Sequence, residues 1–255
     1  MEKTTGGDGM LSLRKKTLQL LCGFLAFCGL FTLCCALFGT VRQGSARYAS
    51  IVAEAAADVK EEVGNSPRQI LLLDAGHGGM DAGAVVGELR EKDLNLALTL
   101  WLADLLRQAG YTVILTREDD RMLGDGEKGS VKLSDLRERL SLTEQYPTAW
   151  LVSIHMNKFP LESCRGLTVY YGNAPESRQL GEAVRRMAVE TLQPENTREM
   201  KEATSAIYLL HRAKIPAVLV ECGFLSNPEE AALLTDPDYQ AKLAAVIAAG
   251  ICAYG

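Results

Sequence analysis

The stretch LLLDAGHGGMDAGAVVGELREKD (71–93) passes from an apolar run into five glycines, with His77 among them and Glu91 just beyond. His155 occurs in WLVSIHMN and Glu221 in AVLVECG, each at the end of another apolar run. Two imidazoles and a carboxylate are the protein ligands of many catalytic zinc sites, which keep a fourth position for water. The metal brings the pKa of that water to roughly 7. A hydrolase of this kind needs one more carboxylate to move the proton, and Glu221 is the candidate. An acid closing a buried β-type run must be solvated, paired or used. Glycines around His77 let the backbone turn sharply and approach an ion. Glu88, Asp81 and Asp93 compete with Glu91 for the carboxylate position, and Glu91 also suits a helix N-terminus. His211, in LLHRAKIP, has no comparable setting and reads as a surface histidine.

These groups can meet only if the fold brings their segments together. Short β-type runs at 70–73, 112–115, 150–154, 167–171 and 217–220 alternate with helical patterns at 93–108, 133–145, 176–192 and 239–254. Leu94, Leu98, Trp101 and Leu105 share one face of the first helix, and Leu243, Ile247 and Ile251 share one face of the last. The alternation predicts an α/β fold: a mostly parallel central sheet covered by helices on both faces. Ligands of such sheets bind beyond the carboxyl ends of the strands, where His77, His155 and Glu221 fall. The charged loop 116–132, REDDRMLGDGEKGSV at its centre, leaves the same edge. It is either a solvated surface loop or a wall of the substrate groove that selects substrate or docks a partner.

The N-terminus sets the expected location. Residues 17–41 carry no charge and are long enough to span a bilayer as a helix. Arg14, Lys15 and Lys16 precede them, which predicts a cytoplasmic tail of residues 1–16, a signal anchor and an extracytoplasmic remainder. Gly44-Ser45-Ala46 offers a weak cleavage site, so secretion after cleavage is the alternative. Residues 42–68 read as a stalk and 69–255 as one catalytic domain. Four of seven cysteines lie in the anchor. The remaining Cys164, Cys222 and Cys252 have neither disulfide-framework nor C-x-x-C spacing. A net charge of −5 without a basic stripe gives no support for nucleic-acid binding.

DAGHGGMDAGA, GELREKDLNLAL, SIHMN and PAVLVECGFLSNPEE resemble, in order, the four signature blocks of the zinc-dependent N-acetylmuramoyl-L-alanine amidases of the amidase-3 type. The likeness runs from about Gln69 to the C-terminus. It implies one catalytic zinc held by His77, Glu91 and His155, with Glu221 as the catalytic acid/base, and it is resemblance alone that selects Glu91 over its rivals. YTVILTREDD resembles the family's Thr-Arg strand ending and DLRERL its Leu-x-x-Arg helix, although Thr143-Glu144 replace the usual Ala-Asn. Asn157 and Asp74, beside two ligands, are expected to orient them or the glycan. The plan of short anchor plus single domain is most similar to the germination-specific, spore-cortex (CwlD-like) branch. That branch implies hydrolysis of the bond between N-acetylmuramic acid and L-alanine in peptidoglycan, a sporulation partner protein, and a downstream deacetylase forming muramic-δ-lactam. A zinc peptidase cutting within the stem peptide and a catalytically silent wall-binding scaffold are the alternatives.

Overall fold

The computed structural model describes residues 69–124 and 130–255. The expected tail, anchor and stalk, residues 1–68, lie outside the described residues. No helix among the described residues is long and apolar enough to cross a membrane.

The apolar run at the start of the domain is continuous because it is covered on both sides. In β1 (Ile70–Ala75), Leu71 and Leu73 enter one core and Leu72 the other. In chain order there follow β2 (Val85–Val86), β3 (Leu89–Arg90), α1 (Glu91–Gln108), β4 (Thr112–Leu115) and α2 (Val131–Gln145). Next come β5 (Trp150–Asn157), β6 (Thr168–Tyr171), α3 (Ser177–Thr191), β7 (Lys201–Glu202) and α4 (Tyr208–Arg212). The chain ends with β8 (Ala217–Phe224), α5 (Pro228–Thr235) and α6 (Pro237–Cys252). Six strands form one sheet in the order β4-β1-β5-β8-β6-β7, with β2 and β3 as a separate small hairpin. Every pairing in the large sheet is parallel except β6 with β8.

The two faces are covered unequally. Leu98, Leu102 and Leu106 of α1, Leu180 and Val184 of α3, and Leu243, Ile247 and Ile251 of α6 pack against Leu73, Val152, Ile154, Val218 and Val220. Truncating one of these leucines to alanine costs about 2–5 kcal/mol. The opposite face buries Leu72, Leu151, Ala217 and Leu219 beneath Leu209 and Leu210 of the short α4, with Leu140 of α2 alongside. At the carboxyl rim this thinner cover leaves the sheet open.

Several boundaries differ from the sequence reading. β5 and β8 continue to Asn157 and Phe224, so His155 and Glu221 lie within the pairing ladder. α1 begins at Glu91, where Glu91 N and Lys92 N donate to Ala84 O and Ala82 O. Trp101 is 47% exposed, because the buried stripe of α1 centres on Leu98 and Leu102. The last helix, read at 239–254, is α6, and α5 just before it is a further helix that the sequence reading did not include. Asn227 caps α5 and Asp236 caps α6, each followed by proline in the first turn. Cys222 and Cys252 are buried, Cys164 is half-buried, and none is bonded to another.

Candidate metal centre

The glycine loop after β1 carries His77 in the left-handed region, at φ 63°. A histidine pays for that conformation, and buried guanidinium groups hold it in place. Arg139 donates to Ala75 O (2.9 Å) and His77 O (2.7 Å), while the fully buried Arg117 donates to Ala75 O (2.9 Å), Gly76 O (3.1 Å) and Lys92 O (2.7 Å). Asp74 anchors Arg139 in turn, and also accepts from Thr116 (2.8 Å) and Ser153 (2.5 Å). Burial raises the Asp74 pKa, but Arg139 and these hydroxyls outweigh it and keep the carboxyl below its ordinary range. Asp74 is 1% exposed and committed to these donors, so it orients the His77 loop through Arg139 rather than meeting substrate.

His77 and His155 approach edge to face, with ring centroids 4.9 Å apart. Glu91 lies between them. His77 Nε2 is 3.2 Å from Glu91 Oε2, and His155 Nδ1 is 2.9 Å from Glu91 Oε1. The carboxylate also accepts from Ala84 N (2.7 Å) and Met156 N (3.1 Å). Burial opposes ionisation of Glu91, yet the hydrogen bonds and charges of the two histidines hold its pKa far below the usual range. Burial likewise lowers the His77 pKa, but Glu91 and Asp81 reverse this and raise it.

Glycine is required here for backbone freedom, with Gly79 at φ 54° and Gly83 at φ 67°, and for room. A Cβ on Gly76 would stand 2.2 Å from His155 Nε2, and one on Gly83 would stand 2.5 Å from Glu91 Oε2. The His155 ring therefore lies against Gly76 through Nε2 and presents Nδ1 to Glu91.

The rival carboxylates now separate. Asp81 Oδ2 takes His77 Nδ1 at 2.9 Å, on the far side of the ring. Asp93 pairs with Arg90, and Glu88 is exposed. His77, Glu91 and His155 each offer one donor atom, all within 4.8 Å of one another. Two imidazole nitrogens and a carboxylate oxygen, with a carboxylate fixing the second nitrogen of one ring, fit a divalent transition metal.

Glu221 stands beside this trio as the register partner of His155. Its Oε2 is buried without a hydrogen-bond partner among the described residues. Burial pushes its pKa up to about 6, Glu91 adds to the rise, and the two histidines oppose it. A cleft of about 330 Å³ opens here, lined by His77, His155, Asn157, Tyr170, Lys132, Tyr208 and Glu221 among others. Asn157 also accepts Leu225 N at its carbonyl (2.8 Å). His211 is half-buried at the end of α4, with Nδ1 3.2 Å from Asn173 Nδ2.

The loop 116–132 is anchored at its start. Asp120 accepts from Gly79 N (2.8 Å) and Lys92 Nζ (2.6 Å), and Asp135 accepts from Leu123 N (2.7 Å). Residues 125–129 lie outside the described residues. Asn95, buried on α1, donates to Gly76 O (3.0 Å) and Glu91 Oε1 (3.3 Å). The buried roles of Arg117, Arg139, Lys92 and Asn95 were missed in the sequence, although the Thr-Arg and Leu-x-x-Arg patterns mark the first two.

Residues 71–253 match the family described as N-acetylmuramoyl-L-alanine amidase. The germination-specific N-acetylmuramoyl-L-alanine amidase of Bacillus subtilis (strain 168) is 40% identical over 190 residues, covering 73% of this chain and 79% of that protein. Among solved structures, the CwlD amidase from Clostridioides difficile, in complex with the GerS lipoprotein, is 39% identical with a TM-score of 0.70, covering 73% of this chain and 98% of that one. Amidase AmiC2 of Nostoc punctiforme is 31% identical with a TM-score of 0.64, covering 73% and 97%.

Proposed function

The chain belongs to the N-acetylmuramoyl-L-alanine amidase family, and from that premise we propose that it is a zinc enzyme cutting the amide between the lactyl group of N-acetylmuramic acid and L-alanine in peptidoglycan. The observation that carries this reading is the convergence of three side chains able to hold a metal beside Glu221, whose Oε2 is buried and has no hydrogen-bond partner among the described residues. His77, Glu91 and His155 would hold the ion. Zinc bound there would supply Lewis acidity and a water of lowered pKa. Glu221 accepts the water proton as the carbonyl is attacked and returns it to the alanine nitrogen as the C–N bond breaks. The products are a free lactyl carboxylate and a stem peptide with a new amino terminus. Asp81 fixes the His77 tautomer, Arg139 fixes its backbone, and Asn157 borders the substrate.

The germination-specific relative and the CwlD likeness support a role in spore-cortex maturation, in which the bared muramic acid is converted to muramic-δ-lactam by a separate deacetylase. The CwlD amidase is seen with a lipoprotein, which supports a protein partner here too. The uncharged run 17–41 supports a single-pass membrane anchor with the enzyme domain outside the cytoplasm.

Digestion of cortex-type and vegetative peptidoglycan with the zinc-loaded protein, followed by mass spectrometry, tests this reading. Stems beginning with a free L-alanine amino group are expected. Fragments that leave L-alanine on the lactyl group would show a peptidase instead, and no release from either material would leave a binding protein.

A further inference from the structure

Among the described residues lining the cleft, Lys132, in the first turn of α2, is the one exposed Lys or Arg. Arg139, the other permanently charged base there, is buried and committed to Asp74, Asp135 and two loop carbonyls. Lys132 Nζ stands 3.5 Å from Asp81 Oδ2, with 65% of its side chain exposed. Asp81 is already engaged by His77 Nδ1 at 2.9 Å and Gly83 N at 3.2 Å. An exposed ion pair of that length is weak, so the ammonium can take a second carboxylate at little cost.

The stem peptide itself limits the choice. A single carboxylate and a single imidazole separate the ammonium from His77 Nε2, the nitrogen that faces Glu91. In a stem peptide with its first amide at the metal centre, the next free carboxylate is the α-carboxylate of the γ-linked D-glutamate. That group lies one residue beyond the scissile amide, a Cα–Cα step of about 3.8 Å plus the bonds flanking it, and Lys132 lines the same cleft as His77 and His155. Ile207 and Leu209 in the cleft lining carry no charge to compete.

We infer that Lys132 reads the second residue of the stem peptide by pairing with its α-carboxylate, so that stems with free glutamate are preferred over stems amidated to isoglutamine. The inference rests on the amidase reading above.

Soluble glycan strands carrying tripeptide stems, in free and amidated forms, test it. The unmodified protein is expected to show a KM about three- to tenfold lower for the free form at similar kcat. Lys132→Ala should bring the ratio near one, and Lys132→Glu should invert it. Arg178→Ala removes an exposed charge outside the cleft and should keep the preference. Zinc content, measured for each variant, separates a substrate effect from a shifted Asp81. Equal KM for the two forms, or a preference surviving Lys132→Ala, overturns the assignment of Lys132 and leaves the amidase reading intact. If the unmodified protein releases no stem from either form, the amidase reading fails and this inference falls with it.

Discussion

His155 on β5 and Glu221 on β8 are direct partners in a parallel register, so their side chains leave the same face of the sheet one strand spacing apart, about 4.8 Å. The distance between a proposed metal ligand and the proposed acid is thus set by ladder hydrogen bonds. Replacing Glu221 with glutamine keeps the strand and shape while removing the proton acceptor. Turnover should fall by about 10²- to 10⁴-fold with zinc content unchanged. Hydrolysis near the original rate would assign the proton transfer to another group.

The same substitution has a stability signature. Glu221 has its folded pKa raised from 4.5 to about 6 by burial. The contribution of its protonated form is complete below the unfolded pKa and is lost as pH rises through the folded one. In metal-free protein, Glu221→Gln should therefore be neutral near pH 4, gain over the parent between pH 4.5 and 6, and keep that gain above. Thermal unfolding at several pH values measures it, and equal melting temperatures at pH 7.5 would contradict the raised pKa.

Zinc should bind at one equivalent per chain and be stripped by a chelator. His155→Ala and Glu91→Ala should abolish stoichiometric binding. Asp81→Asn, which removes the charge that faces His77 Nδ1 and Lys132 Nζ while keeping the side-chain shape, should weaken binding by about 10- to 100-fold. Full occupancy in the alanine variants would remove the site.

Two glycine substitutions discriminate room from backbone strain. Gly76→Ala drives a Cβ into the His155 ring and should weaken zinc binding roughly tenfold or more. Gly87→Ala, at φ 58° with nothing within 4 Å of the new Cβ, should cost only about 1–2 kcal/mol of stability. Zinc titration and urea unfolding read the two effects separately.

Arg139→Ala leaves Asp74 charged and buried without its main partner. A loss of about 3–5 kcal/mol is expected. Urea unfolding measures it, and a loss under 1 kcal/mol would show that the network relaxes.

The strand positions and the rim were legible because parallel strands read as short apolar runs and polar residues at their ends converge by topology. His77, His155 and Glu221 stood out for that reason. Glu91 did not separate from Glu88, Asp81 and Asp93, since the choice depends on how a glycine loop folds back over a helix start. Arg117 and Arg139 were visible only as patterns, because most of their partners, backbone carbonyls and for Arg139 also Asp74, lie about 25 to 65 positions away along the chain. Trp101 was misplaced because helical periodicity gives a face without its centre. The break before α6 was readable from Asp236-Pro237, and α5 from Asn227-Pro228.

The chain order of the site carries a consequence for biosynthesis. His77 follows β1, Glu91 opens α1 and His155 lies in β5, while Glu221 arrives on β8 through a pairing that includes residues 151 and 217. The β1–β5 and β5–β8 pairings are both long-range, 71 with 150 and 151 with 217, so the order follows from synthesis from the N-terminus rather than from contact range. A growing chain therefore has the residues proposed to hold a metal before it has the one proposed to move a proton, and on that reading hydrolytic competence comes as the last step of maturation.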